Sequence, residues 1–127
     1  MNELKREVRL TIPAEAVYVP VATLALSGLG MIAGLDVDLL GDLRTVTAEA
    51  VDCLLNQAGR PQCIEICGCV EEGMLRVRFC ALQRRHMQEQ DELDIEITRC
   101  VLETLMPQVA LEADEDGVHD ILCAMPV

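Results

Sequence analysis

Seven cysteines, Cys53, Cys63, Cys67, Cys69, Cys80, Cys100 and Cys123, are the residues with the most chemistry to offer. A thiolate binds soft metals or attacks electrophiles. Zinc knuckles and thioredoxin-like redox sites use C-x-x-C pairs, and none of the seven stands in one. Cys63, Cys67 and Cys69 fall on one face of a period-two strand. No turn converges their sulfurs and no histidine is near, so the pattern favours packing over a metal site. Cys53 has Glu49 and Asp52 as neighbours, and negative charge keeps a thiol protonated, which favours a structural role. An odd number at irregular spacing, mostly within apolar runs, suits free thiols in a reducing cytoplasm better than a secreted disulfide framework. Positive charge gathers at Arg84-Arg85-His86, a pattern that fits an acidic partner or, more simply, a solvated loop. The scattered Met74, Met87, Met106 and Met125 read as core filler.

The chain that must position these residues has 127 residues, the size of one domain spanning 1–127. Half of it is hydrophobic but only 2% is aromatic, so the core is built from Leu, Val, Ile, Ala, Met and Cys. Twenty-two acids against ten bases give a net charge of −12. Phosphate-backbone binding needs Lys and Arg, and single-strand stacking needs aromatic platforms. The composition therefore argues against nucleic acid and against an anionic membrane surface as partners. Ala16 to Leu35 carries no charge and approaches transmembrane length. Pro20, Thr23, Ser27 and the glycines dilute its hydropathy, and Glu3 and Glu7 interrupt the basic residues a signal peptide would show. A buried helix of a soluble cytoplasmic domain is the expected form.

Glu7 to Ile12 alternates polar and apolar like a half-buried strand, and Pro13 ends it. Pro20 suits a first helical turn. Val21, Leu24, Ala25, Gly28 and Ile32 then supply a buried stripe up to Gly34. Asp36 is an N-cap for a second helix, whose stripe Leu39, Leu43, Val46, Ala50 and Leu54 runs to about Ala58. Cys63–Val70 and Met74–Leu82 flank Glu71-Glu72-Gly73 as a hairpin, with Arg76 and Arg78 on a solvated face. Gln83 to Gln90 reads as a loop. From about Glu92, the positions Leu93, Ile97, Val101, Leu102 and Leu105 make a third helix closed by Pro107. Strands at about Gln108–Ala113 and Val118–Met125 flank the acidic turn Asp114-Glu115-Asp116-Gly117. The order β-α-α-β-β-α-β-β predicts an α+β, two-layer α/β sandwich, with a mixed, mostly antiparallel sheet and three helices on one face.

The segment Asp42-Leu43-Arg44-Thr45-Val46-Thr47-Ala48-Glu49-Ala50-Val51-Asp52-Cys53-Leu54-Leu55-Asn56-Gln57 resembles the N-box helix of bacterial anti-sigma factor serine-protein kinases. These belong to the GHKL, or histidine-kinase-like, ATPases. The Ile12-Pro13-Ala14-Glu15 opening, the long first helix, its Gly34-Leu35 ending and the order of elements are similar over essentially the whole chain. The resemblance implies the histidine-kinase-like ATPase fold and, in its active members, ATP and Mg2+ as cofactors. By position it makes Glu49 the base, although on periodicity alone Glu49 reads as a solvated helix residue. It puts Cys53 where an Asn chelates magnesium, with Gln57 a further turn along as a cofactor-side residue. Cys53 is a poor ligand for Mg2+, which wants oxygen donors.

Other family motifs are replaced as well. Cys80-Ala81-Leu82-Gln83-Arg84 stands where an Asp-x-Gly-x-Gly would read adenine, and no glycine occurs between Gly73 and Gly117. Asp91, Glu92 and Asp94 place acids where a phosphate-facing helix start is expected. The combined reading is a pseudoenzyme-like regulatory domain in which ATP binding is weak or lost. It would act by contact with a protein partner, either a sigma factor or an anti-sigma antagonist, through the first-helix surface and an exposed sheet edge. Two alternatives are an active ATP-dependent serine-protein kinase using Glu49 as base, and a homodimeric assembly module packed through the small-residue spacing Gly30/Gly34.

Overall fold

The computed structural model describes residues 6–86 and 95–127. Strand β1 is Glu7–Pro13, and a 3-10 turn at Ala16–Tyr18 leads into helix α1, Val19–Ile32, with Pro20 in its first turn. Helix α2 is Val37–Leu55, opened by Asp36, whose carboxylate accepts the Leu39 N–H at 2.9 Å. Then come β2 (Gly59–Arg60), β3 (Cys63–Glu71), β4 (Met74–Leu82) and β5 (Arg85–His86). Helix α3 (Ile95–Leu105), β6 (Gln108–Asp114) and β7 (Gly117–Pro126) complete the chain. The predicted loop at Gln83 thus contains a two-residue strand, β5, paired with β2. Asp91, Glu92, Leu93 and Asp94 lie outside the described residues.

The fold is α+β, with a five-stranded sheet in the order β1-β3-β4-β7-β6. Every pairing among the described strands is antiparallel, so the expected mixed component does not occur there. The β3–β4 connection is a two-residue turn with positive φ at Glu72 (52°) and Gly73 (73°), the handedness that matches strand twist. Side chains alternate across the sheet. Ile64, Ile66, Leu75, Val77, Phe79, Val118, Ile121 and Cys123 pack with Leu26, Leu29, Leu43, Val46, Ala50, Leu54 and Leu102 of the helices. The only phenylalanine, Phe79, is fully buried at the middle of this layer.

The face of α1 is the clearest correction. Val21, Leu24 and Ile32, expected in the core, are exposed, Leu24 at 74% and Ile32 at 82%. The buried face is Ala22, Leu26, Leu29 and Gly30. The helix is apolar all round, so periodicity could not choose a side; shape does. Gly68 of β3 leaves a hollow that Leu29 fills, and a Cβ there would lie 2.5 Å from Leu29 Cδ2. Gly30 lets α2 approach, since its Cβ would meet Leu40 at 2.8 Å. Gly30 therefore serves packing within the chain, and Gly34 (φ 85°) ends the helix, which removes the Gly30/Gly34 pair as a dimer contact. Helix α3 keeps Leu102 in the core as expected, but Ile97 is exposed and Thr98 is buried instead. Among the described residues no helix is long and apolar enough to cross a membrane.

Candidate functional site

The three positions singled out on α2 have different surroundings. Glu49 is half-buried and has no ion pair among the described residues. Cys53, one turn on, is 2% exposed. Burial pushes its thiol up to about 11, with a hydrogen bond from Thr98 of α3 working the other way. Gln57 is buried and fully engaged. Its Nε2 donates to the Cys53 carbonyl at 2.9 Å, and its Oε1 accepts the Val118 N–H of β7 at 2.9 Å. Gln57 thus ties the end of α2 to the start of β7, and α3 closes over Cys53. Asn56 donates to the Asp52 carbonyl at 2.7 Å.

Two members of the basic triplet, Arg84 and His86, find acids within the chain. Arg84 makes a two-pronged contact with Asp114, at 2.6 and 2.8 Å, which holds that carboxyl well below the usual range. His86 Nδ1 lies 2.6 Å from Asp116. The acidic turn between β6 and β7 is the counterpart of Arg84 and His86, and the Gly59 N–H donates to the Asp116 carbonyl at 2.7 Å, joining β2 to the same corner.

Opposite the helices, the sheet presents an open face that sequence reasoning did not assemble. Register places Glu7, Cys69, Arg76, Ala124 and Gln108 in one row across the five strands. Arg9, Cys67, Arg78, Leu122 and Ala110 form the next, and Thr11, Glu65, Cys80, Asp120 and Glu112 the third. Cys63, Cys67 and Cys69 therefore share a face as expected, but it is the one away from the helical core. A depression of about 360 Å³ runs over the first two rows, floored by Cys67, Ala110, Leu122 and Ala124 with Arg76 and Arg78 alongside.

Beside it lies a group of reactive side chains centred on Asp120. Asp120 is only 4% exposed. Its Oδ2 accepts from Arg78 Nε at 2.6 Å, and Arg78 Nη2 closes on the same oxygen. Its Oδ1 lies 2.5 Å from His119 Nδ1 and accepts the Cys80 thiol at 3.7 Å. Burial works to raise the Asp120 carboxyl, but the hydrogen bonds from His119 and Arg78 outweigh it and hold it below the ordinary value. Asp120 is thus the acceptor at the centre of the cluster. Burial and the Asp120 charge push the Cys80 thiol up. Glu112, His119 and Asp120 each bring one ligand-type atom to within 4.8 Å of the others. The sequence did carry a signal for this. His119 and Asp120 are adjacent polar residues in an alternating strand, which only a bulge can turn to one side, and register shifts between Glu112 and Ala113 opposite them. Compared with known proteins, the chain matches no protein-family model and no curated protein.

Proposed function

We propose that this chain is a regulatory domain that works by binding another protein through the outer face of α1. The observation that carries this reading is the stripe Val17, Val21, Leu24, Met31 and Ile32, continued by Val37 at the start of α2, all left in solvent. Exposed apolar residues occur singly on any surface, but an aligned row on one charge-free helix marks a contact site. The resemblance of the α2 segment to anti-sigma serine-protein kinases names the class of partner, a sigma factor or its antagonist. The engagement of Cys53 by α3 and of Gln57 by β7 supports a binding role over ATP chemistry, with Glu49 the family position left half-buried and unpaired among the described residues.

A pull-down from the native cell with and without ATP tests the reading, run in parallel with Leu24→Glu. Recovery of a sigma factor or antagonist by the wild type, and its loss with Leu24→Glu, is the expected outcome. Recovery of neither, or capture that ignores Leu24→Glu, counts against it. A rise in Tm with Mg-ATP would favour the active-kinase alternative, because a ligand that binds only the folded state raises apparent stability. A second reading, a homodimer, draws on Gly28. It lies in the middle of the stripe with nothing within 4 Å of where its Cβ would be, so another helix could approach closely. Light scattering over a range of concentrations separates the two, and a strict monomer removes the dimer.

A further inference from the structure

We propose that Glu112, His119 and Asp120, with Cys80 as sulfur donor, form a binding site for a divalent transition metal ion of the zinc type. The site lies on the open face of the sheet, away from the α1 stripe, and does not depend on it. Antiparallel register sets Cys80, Asp120 and Glu112 side by side on three neighbouring strands, and the bulge brings His119 to the same side. Strands hold donor positions more firmly than a loop would.

The donor set decides the class of ion. One nitrogen, one sulfur and two carboxylates suit a borderline metal such as Zn2+ or Co2+, whereas Mg2+ and Ca2+ take oxygen alone. Ligands about 2.0–2.3 Å from a tetrahedral ion stand roughly 3.3–3.8 Å from one another. The Cys80–Asp120 separation of 3.7 Å is already in that range, while the Cys80 sulfur stands outside the 4.8 Å set of Glu112, His119 and Asp120 and has to move toward it. The Glu112, His119 and Asp120 atoms lie within 4.8 Å of one another, so the exposed Glu112 has to close by about an ångström while the His119–Asp120 pair, now at 2.5 Å, opens by about as much.

Charge also balances. Cys80 as thiolate, Glu112 and Asp120 are anionic, and the divalent ion with Arg78 offsets them to no net charge. Arg78 engages Asp120 Oδ2 and leaves Oδ1 for the ion, as an outer hydrogen-bond partner of a ligating carboxylate does. The Cys80 proton that now points at Oδ1 goes to solvent when the ion binds, while His119 coordinates as a neutral imidazole that keeps one ring proton.

The test is titration of the full chain with Zn2+ under a non-thiol reductant, competed against a chromophoric chelator. A companion experiment loads Co2+ and records the near-ultraviolet sulfur-to-metal charge-transfer band. One ion per chain is expected, with affinity reduced at least 10-fold by His119→Gln and by Glu112→Gln. Both residues lie at the surface side of the cluster, and circular dichroism verifies that the variants remain folded. The Co2+ band should vanish in Cys80→Ser and persist in Cys100→Ser. Stoichiometric binding that survives both His119→Gln and Glu112→Gln overturns the proposal. So does a charge-transfer band that is kept in Cys80→Ser but lost in Cys67→Ser or Cys100→Ser, or the lack of stoichiometric binding altogether.

Discussion

Gln57→Leu separates a cofactor-side residue from a structural one. The wild-type side chain makes three buried contacts, 2.9 Å to the Cys53 carbonyl, a weak one of 3.6 Å to the Cys53 sulfur and 2.9 Å from the Val118 N–H. Leucine keeps the bulk and removes all three. The Val118 N–H then has no partner, at a cost of about 1–3 kcal/mol for a buried donor. The Cys53 carbonyl keeps the Asn56 N–H at 3.2 Å, so its loss is smaller, and the sum is about 2–4 kcal/mol. Unfolding entropy near 2.1 cal/mol/K per residue gives about 0.27 kcal/mol/K for a chain this long, so Tm should fall by about 7–15 °C. A domain of this size has a stability on the order of 6–19 kcal/mol, which leaves the variant folded and measurable. Urea and thermal unfolding of Gln57→Leu, with Asn56→Ala as the more exposed control, make the comparison. Gln57→Glu sharpens it. Its carboxylate still accepts from Val118 but repels the Cys53 carbonyl, and protonation restores the donor. Its folded pKa is therefore raised, and the stability it recovers at low pH is lost as pH rises through that value. A Gln57→Leu variant within about 0.5 kcal/mol of wild type would refute the structural assignment, since surface substitutions commonly stay inside that margin.

Alkaline pH should weaken the fold through its buried thiols. Burial pushes Cys53 up to about 11 and Cys123 up to about 12, so above pH 9 the unfolded chain loses protons that the folded chain retains, and stability falls. At pH 10 the two contribute a loss of about 3 kcal/mol relative to pH 7, and urea midpoints for Cys123→Ala should show about half that slope; a superimposable profile sinks the idea. In acid, Asp114 has its folded pKa depressed by Arg84, so the stabilisation is present above the unfolded carboxyl pKa and is lost as pH falls through the folded value. Arg84→Gln should therefore flatten the acid limb of the stability profile, and an unchanged limb contradicts the pairing. Gly68→Ala should cost about 1–3 kcal/mol by crowding Leu29. Combined with Leu29→Ala, the two costs should sum to less than their separate values, and strict additivity would place the strain elsewhere.

The hairpins and α2 were legible because each carries a local device of its own. Asp36 caps, the Glu72-Gly73 pair turns with the strand twist, and Leu43, Val46, Ala50 and Leu54 have polar residues opposite them. Helix α1 lacks such contrast. With apolar residues on all sides, its orientation depends on Gly68, a residue almost forty positions away, and only tertiary packing supplies that information. The Arg84–Asp114 contact was half legible: both charge clusters were visible, but pairing them requires knowing that β6 and β7 return beside β5's end of the molecule. Asp120 was hidden for a similar reason. Its neighbours Arg78 and Cys80 come from β4 and Glu112 from β6, and only the sheet order places them on either side of it.

The charge of −12 has a different meaning once the cations are located. Arg9 faces Glu7, Arg78 is held by Asp120, and Arg84 by Asp114. These bases neutralise neighbours within the chain, so they leave the acid surplus on the outer surface. From Ala16 to Leu35 there is neither acid nor base, and here α1 turns Leu24 and Ile32 outward. A partner that docks on this helix meets apolar surface within a repulsive field for other anions. Affinity on such a patch comes from burial of aliphatic side chains, and the surrounding acids act on which partners approach. The open sheet face is the complementary case, where Arg78, His119 and Cys80 converge on one buried carboxylate and the proposed visitor is a cation. The two proposals thus put a protein on the helical face and an ion on the sheet face, and substitutions in one should leave the other's binding intact.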